Sequence, residues 1–357
     1  MSSVHILTFH RALNYGAILQ CYGLYKTVNK IQDNCDVIDY RAKCIENRYR
    51  LIHKKITLKG FVKATLTLPD VRKKRRKFDD FIRNNIKTTV VINGKDDLNK
   101  VPWSKSDCYC VGSDQVWNLD LVEGDTSFLL DFVPHDANKM SYAASIGVRI
   151  KPEWKAIFVN NLDEFHSVSV REQTAQEQLK QFKIKASVEI DPVFLLTKEE
   201  WEEKAKDVSK ESYILIYLLQ KADIFMKEAI KYAQKKGKKI VIISTGLRRQ
   251  YDAEYVSDCG PEEFLGYFKG ADTIFTNSFH GIAFSILLNK NFYYQVQGNN
   301  VKTNSRLNDI IKMFNLEQRD IDNIEKDVLI DYKDVNDVIE KKRKTAIEYL
   351  ERQITGK

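Results

Sequence analysis

Short apolar runs alternate along this chain with segments whose apolar positions recur every three or four residues. The runs fit buried strands, and the three-four spacing fits helices packed through one face. Val4–Phe9 is the first such run. Gly16–Lys30 follows as a helix, with Ile18, Leu19, Tyr22 and Tyr25 on one stripe. Further strands are predicted at Asp36–Tyr40, Asp107–Val111, Met140–Ser145 and Ser167–Val170. Residues from about 45 to 100 break the rhythm, being more helical and more basic, and read as an insertion. The second half is cleaner. Tyr213–Leu219 is continuously apolar, as expected of a strand covered on both faces. Ala222–Lys236 carries Phe225, Ala229, Ile230 and Ala233 at helical spacing, and Gly237 stands where that helix should stop. Strands at Lys239–Ser244, Thr273–Asn277 and Phe292–Val296 are separated by helices at Pro261–Lys269 and His280–Leu288. A charged helix, Val335–Ile354, comes last.

This alternation predicts an α/β protein with parallel sheets. A length of 357 residues suits two domains. Asp191-Pro192 separates two halves that repeat in architecture but not in sequence. The expected units are an N-terminal lobe over residues 1–192, carrying the insertion, and a C-terminal lobe over 193–332. Residues 333–357 are expected to fold back on the first lobe. The expected fold is two Rossmann-like lobes facing a cleft, the GT-B-like arrangement of one large glycosyltransferase class. Ligands in such sheets bind beyond the carboxyl ends of the strands.

Several segments at those strand ends carry usable chemistry. Thr276-Asn277-Ser278-Phe279-His280-Gly281 leaves one strand and opens a helix. Asn277 or Ser278 can cap that helix, its first N–H groups suit an anion, and His280 falls in the first turn. Lys302 and Arg306 follow the next strand and are expected in its loop, where two cations suit a carboxylate and a phosphate. In the first half, Asn14, Tyr15 and Gly16 join the first strand to the first helix. Ser113, Asp114 and Gln115 leave another strand and offer groups that grip a sugar. Arg171, in Ser169-Val170-Arg171-Glu172, stands at a third strand end. Each of these also has a plainer reading as a cap, a turn or surface charge.

Composition adds limits. The formal net charge is +8, concentrated in Arg72–Lys77. That run fits either a solvated helix face or attraction to an anionic surface such as the inner membrane leaflet. Without interleaved aromatics it argues against nucleic acid. The six cysteines form no CxxC pair and read as buried reduced thiols, not as a metal or disulfide set. No apolar run reaches the roughly 20 residues needed to span a bilayer, and Met1–Val4 does not start like a signal peptide. A cytoplasmic protein is expected, with peripheral attachment at the inner membrane face through 72–77 as one possibility.

Taken in order, Leu7–His10 with Asn14–Ala17, Val111–Asp114, Tyr142–Gly147, Ser169–Glu172, Asp191–Val193, Ser278–Gly281 and Ser305–Leu307 resemble the polysaccharide pyruvyl transferase family. The resemblance implies transfer of the carboxyvinyl unit of phosphoenolpyruvate to a sugar, or to a lipid-linked oligosaccharide, to leave a pyruvate ketal. It implies no metal and no cofactor beyond that donor. It maps donor-binding roles onto His280, Arg171 and Lys302, with Arg306 the alternative to Lys302. Glu172 departs from the Asp that is commoner in the family. On this reading His280 is the general acid and Asp114 the base. Arg171, Lys302, Arg306, Ser278 and Asn277 hold the donor, while Asn14, Tyr15, Gly16, Ser113 and Gln115 meet the acceptor. A glycosyltransferase using a nucleotide sugar, with phosphates at Gly260–Phe264, is the competing reading. A non-catalytic binding protein is the third.

Overall fold

The structure is a computed structural model that describes residues 2–50, 58–209, 211–244, 249–295 and 301–356, with backbone alone for 58–64 and 301–305. Following the chain, β1 (Val4–Leu7), α1 (Tyr15–Ile31), β2 (Cys35–Val37), α2 (Lys43–Arg48), α3 (Leu58–Asn85), α4 (Lys95–Leu98), β3 (Cys108–Val111), β4 (Asn138–Ser141), α5 (Lys155–Leu162), β5 (Ser169–Val170), α6 (Gln173–Gln181) and β6 (Ser187–Val188) come first. Then follow α7 (Lys198–Lys204), β7 (Tyr213–Tyr217), α8 (Asp223–Lys235), β8 (Lys239–Ile243), β9 (Glu254–Val256), α9 (Pro261–Gly270), β10 (Ala271–Thr276), α10 (Phe279–Leu287), β11 (Asn291–Tyr294), α11 (Val301–Met313) and α12 (Tyr332–Thr355). The chain divides into two compact units. Unit 1 holds residues 1–49, 82–196 and 339–357, and unit 2 holds 50–81 and 197–338.

In unit 1 the strands pair in parallel in the order β2-β1-β3-β4. The parallel pair β5-β6 continues this sheet through bridges Met140↔Ser167 and Ala144↔Val170. Every residue of β3 is buried, because helices and loops cover both faces of the sheet. The six cysteines are all buried and none is in a disulfide. Helix α1 approaches the Pro192–Leu195 turn so closely that a Cβ on Gly23 would stand 2.5 Å from the Pro192 carbonyl oxygen. From Ile339 onward α12 belongs to this unit. Arg343 donates to the carbonyls of Phe194 (2.8 Å) and Leu196 (3.1 Å), and the Tyr349 hydroxyl lies 3.1 Å from the Ser141 carbonyl oxygen.

Unit 2 is a parallel sheet in the order β11-β10-β7-β8-β9. Central strand β7 is buried throughout. Helix α8 covers it with Phe225, Ala229 and Ala233, which are fully buried.

Apart from shifts of a few residues at strand and helix ends, the sequence reading differs from the structure most in three places. Arg50–Phe81 belongs with unit 2 and not with the first lobe as an insertion, because the basic run of α3 meets the acidic start of α9. There Lys77 pairs with Glu263 at 2.6 Å, Glu263 accepts the Gly260 N–H at 2.8 Å, and Lys73 pairs with Asp258. Strand β4 ends at Ser141 and not Ser145, because Ala143 takes a left-handed φ of 47°. Lys302 and Arg306 lie on α11 and not in a loop. Val296 of the predicted last strand, residues 51–57 of the insertion, and the side chain of Lys302 lie outside the described residues.

Candidate active site

In unit 1, Thr8–Asn14 carry the chain from β1 to α1. Asn14 caps the helix, its Oδ1 accepting the Ala17 N–H at 3.3 Å, which leaves Tyr15 and Gly16 buried in the first turn. One turn on, Gln20 accepts the Ser113 N–H at 3.0 Å and donates to the Thr8 hydroxyl at 2.9 Å. The Ser113 hydroxyl donates to the Ala143 carbonyl at 2.6 Å. Ser113 is therefore a fully buried knot joining the ends of β1, β3 and β4. Gly112 cannot be replaced at this knot without strain. Its φ is +125°, and a Cβ would stand 2.2 Å from the Tyr142 carbonyl oxygen.

Asp114 and Gln115 come next and are the half-buried members of this turn. Asp114 has a left-handed φ of 64° and accepts the Gln115 N–H at 2.8 Å. Gln115 accepts from the Asn118 amide at 3.1 Å.

Arg171 follows β5 and is 4% exposed. It donates to Asp191 at 2.6 Å, and its other terminal nitrogen lies 3.9 Å from Glu172. Asp191 also caps the turn after it, accepting the Val193 N–H at 3.1 Å, while Glu172 accepts the Ser145 hydroxyl. Burial works against the guanidinium charge, but Asp191, Glu172 and Asp114 outweigh it and bind the proton more firmly than in free arginine. Unit 1 thus gathers Asp114, Arg171, Glu172 and Asp191 at one sheet edge, with Arg171 already engaged by acids. The ends of β1 and β2 bring a second charged group, in which His10, Arg11 and Arg41 all contact the buried carboxylate of Asp39.

In unit 2 the corresponding edge is the step from β10 to α10. The Thr276 hydroxyl donates to the Tyr217 carbonyl at 2.7 Å and accepts the Ser278 N–H at 3.1 Å. Ser278 is the N-cap of α10, its hydroxyl accepting the Gly281 N–H at 3.3 Å. Gly281 presses on Thr276, where a Cβ would stand 2.2 Å from the threonine Oγ1. These contacts fix His280 in the first turn, 9% exposed, with its ring edge-on to Phe279 at 5.1 Å. Asn277 ties in the neighbouring loop, accepting the Leu219 N–H and donating to the Gln220 carbonyl, each at 2.9 Å. The first turn of a helix carries N–H groups outside its own ladder and the positive end of its dipole, so this end of α10 favours an anion beside an imidazole. Arg306, half-buried, lies on the next helix of the same unit. Among the described residues no cluster of His, Cys, Asp and Glu has metal-binding geometry.

The sequence profile of the polysaccharide pyruvyl transferase family matches residues 14–294. The chain belongs to this family. The match runs from the cap of α1 to the end of β11 and contains every segment at the two sheet edges from Asn14 to His280. This pyruvyl transferase family member is therefore a transferase, and family membership implies a donor substrate and a sugar or polysaccharide acceptor. No curated protein matches the chain in sequence. Among solved structures it is similar in fold to a UDP-N-acetylglucosamine 2-epimerase from Neisseria meningitidis, at 12% identity, 100% and 99% coverage of the two chains and a TM-score of 0.50. The Methanocaldococcus jannaschii enzyme of that name gives 13% identity, 100% coverage of both chains and a TM-score of 0.51. A putative 2-epimerase from Listeria monocytogenes gives 10% identity, 99% and 91% coverage and a TM-score of 0.54. These likenesses establish the α/β class with parallel sheets.

Sequence reasoning passed over Asp39 and Arg41, and named Thr276 in the His280 segment without giving it a role. Asp39-Tyr40-Arg41 at a strand end was a readable sign, whereas nothing near Thr276 in sequence announces its bond to Tyr217. No described helix is long and apolar enough to cross a membrane. The basic run is also partly used up within unit 2. Lys73 and Lys77 are paired, and Lys74 is buried over Phe78, where burial pushes its pKa down to about 8.

Proposed function

We propose that the protein transfers the carboxyvinyl unit of phosphoenolpyruvate to two hydroxyls of a sugar in a surface polysaccharide or its precursor, as a ketal. The observation that carries this reading is the His280 turn. It places an imidazole and a helix N-terminus together at a strand's carboxyl end, inside a chain of the pyruvyl transferase family. Phosphate and carboxylate of the donor suit that helix end, with Ser278, Asn277, Lys302 and Arg306 assigned to the donor alongside Arg171.

In the proposed reaction His280 gives a proton to the donor's methylene carbon, and cationic character develops at C2. A first sugar hydroxyl bonds to C2 while its proton passes to a carboxylate base, for which Asp114 is assigned. The bond from C2 to the phosphate oxygen then breaks, and phosphate leaves with the electron pair and the proton that Asp114 had taken. A second hydroxyl closes the ketal, and its proton returns to His280. A group that gives and regains a proton near neutral pH suits histidine. Cations at the phosphate stabilise the charge that develops as it leaves.

A thermal-shift titration of wild type and His280→Gln with phosphoenolpyruvate, and separately with UDP-N-acetylglucosamine, tests this. A ligand at 100 times its Kd stabilises the folded state by about 2.7 kcal/mol. The reading requires that phosphoenolpyruvate raise the melting temperature of the wild type and that His280→Gln weaken the effect. Stabilisation by the nucleotide sugar alone would replace it with nucleotide-sugar chemistry, which the 2-epimerases of similar fold make the natural competitor.

A further inference from the structure

Few of the side chains in the turns after β1 and β3 are placed to meet a ligand. Tyr15 and Ser113 are 3% and 0% exposed, and Gly16 is buried beside them. Gln115 is half-buried, but its Oε1 accepts the Asn118 amide at 3.1 Å and presses on Gly147, where a Cβ would stand 2.3 Å from it. Asn14 and Asp114 are the half-buried polar groups whose place in the two turns suits contact with a ligand. A third residue joins them from the segment after β2. Tyr49 closes α2, its N–H donating to the Ile45 carbonyl at 3.3 Å. Its ring is half-buried against the core of unit 1, and its hydroxyl shares a hydrogen bond with the Asn14 side chain. Asp114 is near enough for its charge to act on both the Tyr49 hydroxyl and Arg171. All four residues belong to unit 1, at the sheet edge where α/β folds take ligands.

A tyrosine ring, a side-chain amide and a carboxylate make a chemically selective set. A pyranose presents a face of C–H groups and a rim of hydroxyls. The C–H face packs on an aromatic ring, while the hydroxyls donate to a carboxylate and exchange hydrogen bonds with an amide. A carboxylate accepts from hydroxyls and repels phosphate, so the set suits a neutral sugar better than an anion. Burial, and next the charge of Asp114, push the Tyr49 hydroxyl up from the ordinary tyrosine range. It therefore stays protonated at neutral pH and serves as a ring and a hydrogen-bonding group, not as a base. The three side chains come from separate turns, each fixed by its own helix cap or strand end, so the set is held in shape before a ligand arrives.

We propose that Tyr49, Asn14 and Asp114 form a sugar subsite in unit 1, which takes a neutral pyranose against the Tyr49 ring and directs one of its hydroxyls to Asp114. That this sugar is the acceptor, with a donor on Arg171 beside it, rests on the pyruvyl-transfer reading; the existence of the subsite does not.

Saturation-transfer NMR on the full chain tests this with methyl β-D-glucopyranoside and methyl β-D-galactopyranoside, on wild type, Tyr49→Phe, Tyr49→Ala and Asp114→Asn. Phosphoenolpyruvate is titrated separately on the same proteins. At least one glycoside should receive saturation at its ring protons in the wild type. Its affinity should fall about tenfold in Tyr49→Ala, the loss of an aromatic platform, and less in Tyr49→Phe, which keeps the ring. Asp114→Asn should weaken the glycoside severalfold. Asparagine tolerates the left-handed φ of 64° at this position, so that variant removes the charge and keeps the turn, and it decides the matter if Tyr49→Ala fails to fold. Neither glycoside binding the wild type, or an affinity unchanged in Asp114→Asn or in a folded Tyr49→Ala, overturns the subsite. Tyr49→Phe as damaging as Tyr49→Ala overturns the ring contact. Glycoside binding that follows the expected pattern while phosphoenolpyruvate fails to bind counts against the proposed reaction and leaves the subsite standing.

Discussion

Gly281→Ala separates two opposing effects in the turn that holds His280. On propensity alone, alanine in a helix is favoured over glycine by about 0.8–1 kcal/mol. In this structure the added Cβ would stand 2.2 Å from Thr276 Oγ1 and 3.0 Å from both Thr276 carbons. Thr276 cannot swing aside freely, because it is fully buried and its hydroxyl holds both the Tyr217 carbonyl and the Ser278 N–H. Overpacking costs about 1–3 kcal/mol. Two strained hydrogen bonds add about 0.5–1.5 kcal/mol each. The clash outweighs the propensity gain, for a net destabilisation of about 1–5 kcal/mol. Urea unfolding of the variant measures it, and on the proposed function phosphoenolpyruvate affinity reports whether the turn has moved. Thr276→Ala alone is destabilising, but in Gly281→Ala/Thr276→Ala it makes room for the methyl group. The double variant should therefore be more stable than the sum of the singles, by a coupling of about 0.5–3 kcal/mol. A Gly281→Ala protein as stable as wild type, or strictly additive effects, would refute the close-contact account of this turn.

Three further outcomes follow from the charged groups. Asp39→Asn leaves Arg11 and Arg41 without their carboxylate and should cost about 3–5 kcal/mol in urea unfolding, as breaking a buried pair does. Burial opposes the Asp39 charge, but bonds from His10 and Arg11 outweigh it and hold the carboxyl well below its ordinary range. Its contribution is thus present above about pH 4 and is lost as pH falls through the folded value, so Asp39→Asn should flatten the acid limb of a stability–pH curve. For His5 burial works the other way from Asp36 and Asp107, whose bonds prevail and raise its pKa. That stabilisation is full below about pH 6.5 and disappears as pH rises through the folded value. His5→Gln should remove the fall on that side, as followed by melting temperature against pH. Asp191→Asn should destabilise the chain by about 3 kcal/mol or more and weaken phosphoenolpyruvate binding if Arg171 serves the donor, since Asp191 both holds that guanidinium and caps the turn before Leu195.

Much of the fold could be read from the chain because its central strands are covered on both faces. Tyr213–Tyr217 is apolar throughout and is buried throughout. Boundaries were harder where a residue breaks the rule for its type. Strand β4 stops early because Ala143, which is neither Gly nor Asn, adopts a left-handed backbone that no local pattern announces. The basic run of α3 looked like free surface charge, because its partners Asp258 and Glu263 lie almost two hundred residues away. Arg171 was visible as a strand-end arginine, yet its acid partner Asp191 lies twenty residues on, and nothing in the sequence says which side chains meet. His280 was legible for the opposite reason. Its cap, its turn and its contact glycine are contiguous in sequence, so the segment carries its own geometry.

The Asn277 amide reaches the neighbouring loop through two main-chain groups, the Leu219 N–H and the Gln220 carbonyl. Any residue but proline offers the same N–H at position 219, and every residue offers the carbonyl at 220. Mutation can therefore sample new side chains at this rim while the tether to the His280 turn endures. Leu219 is already 54% exposed and makes little demand on the core. The segment is thus a place where selection, or a directed library, can alter what the rim touches and inherit the turn unchanged.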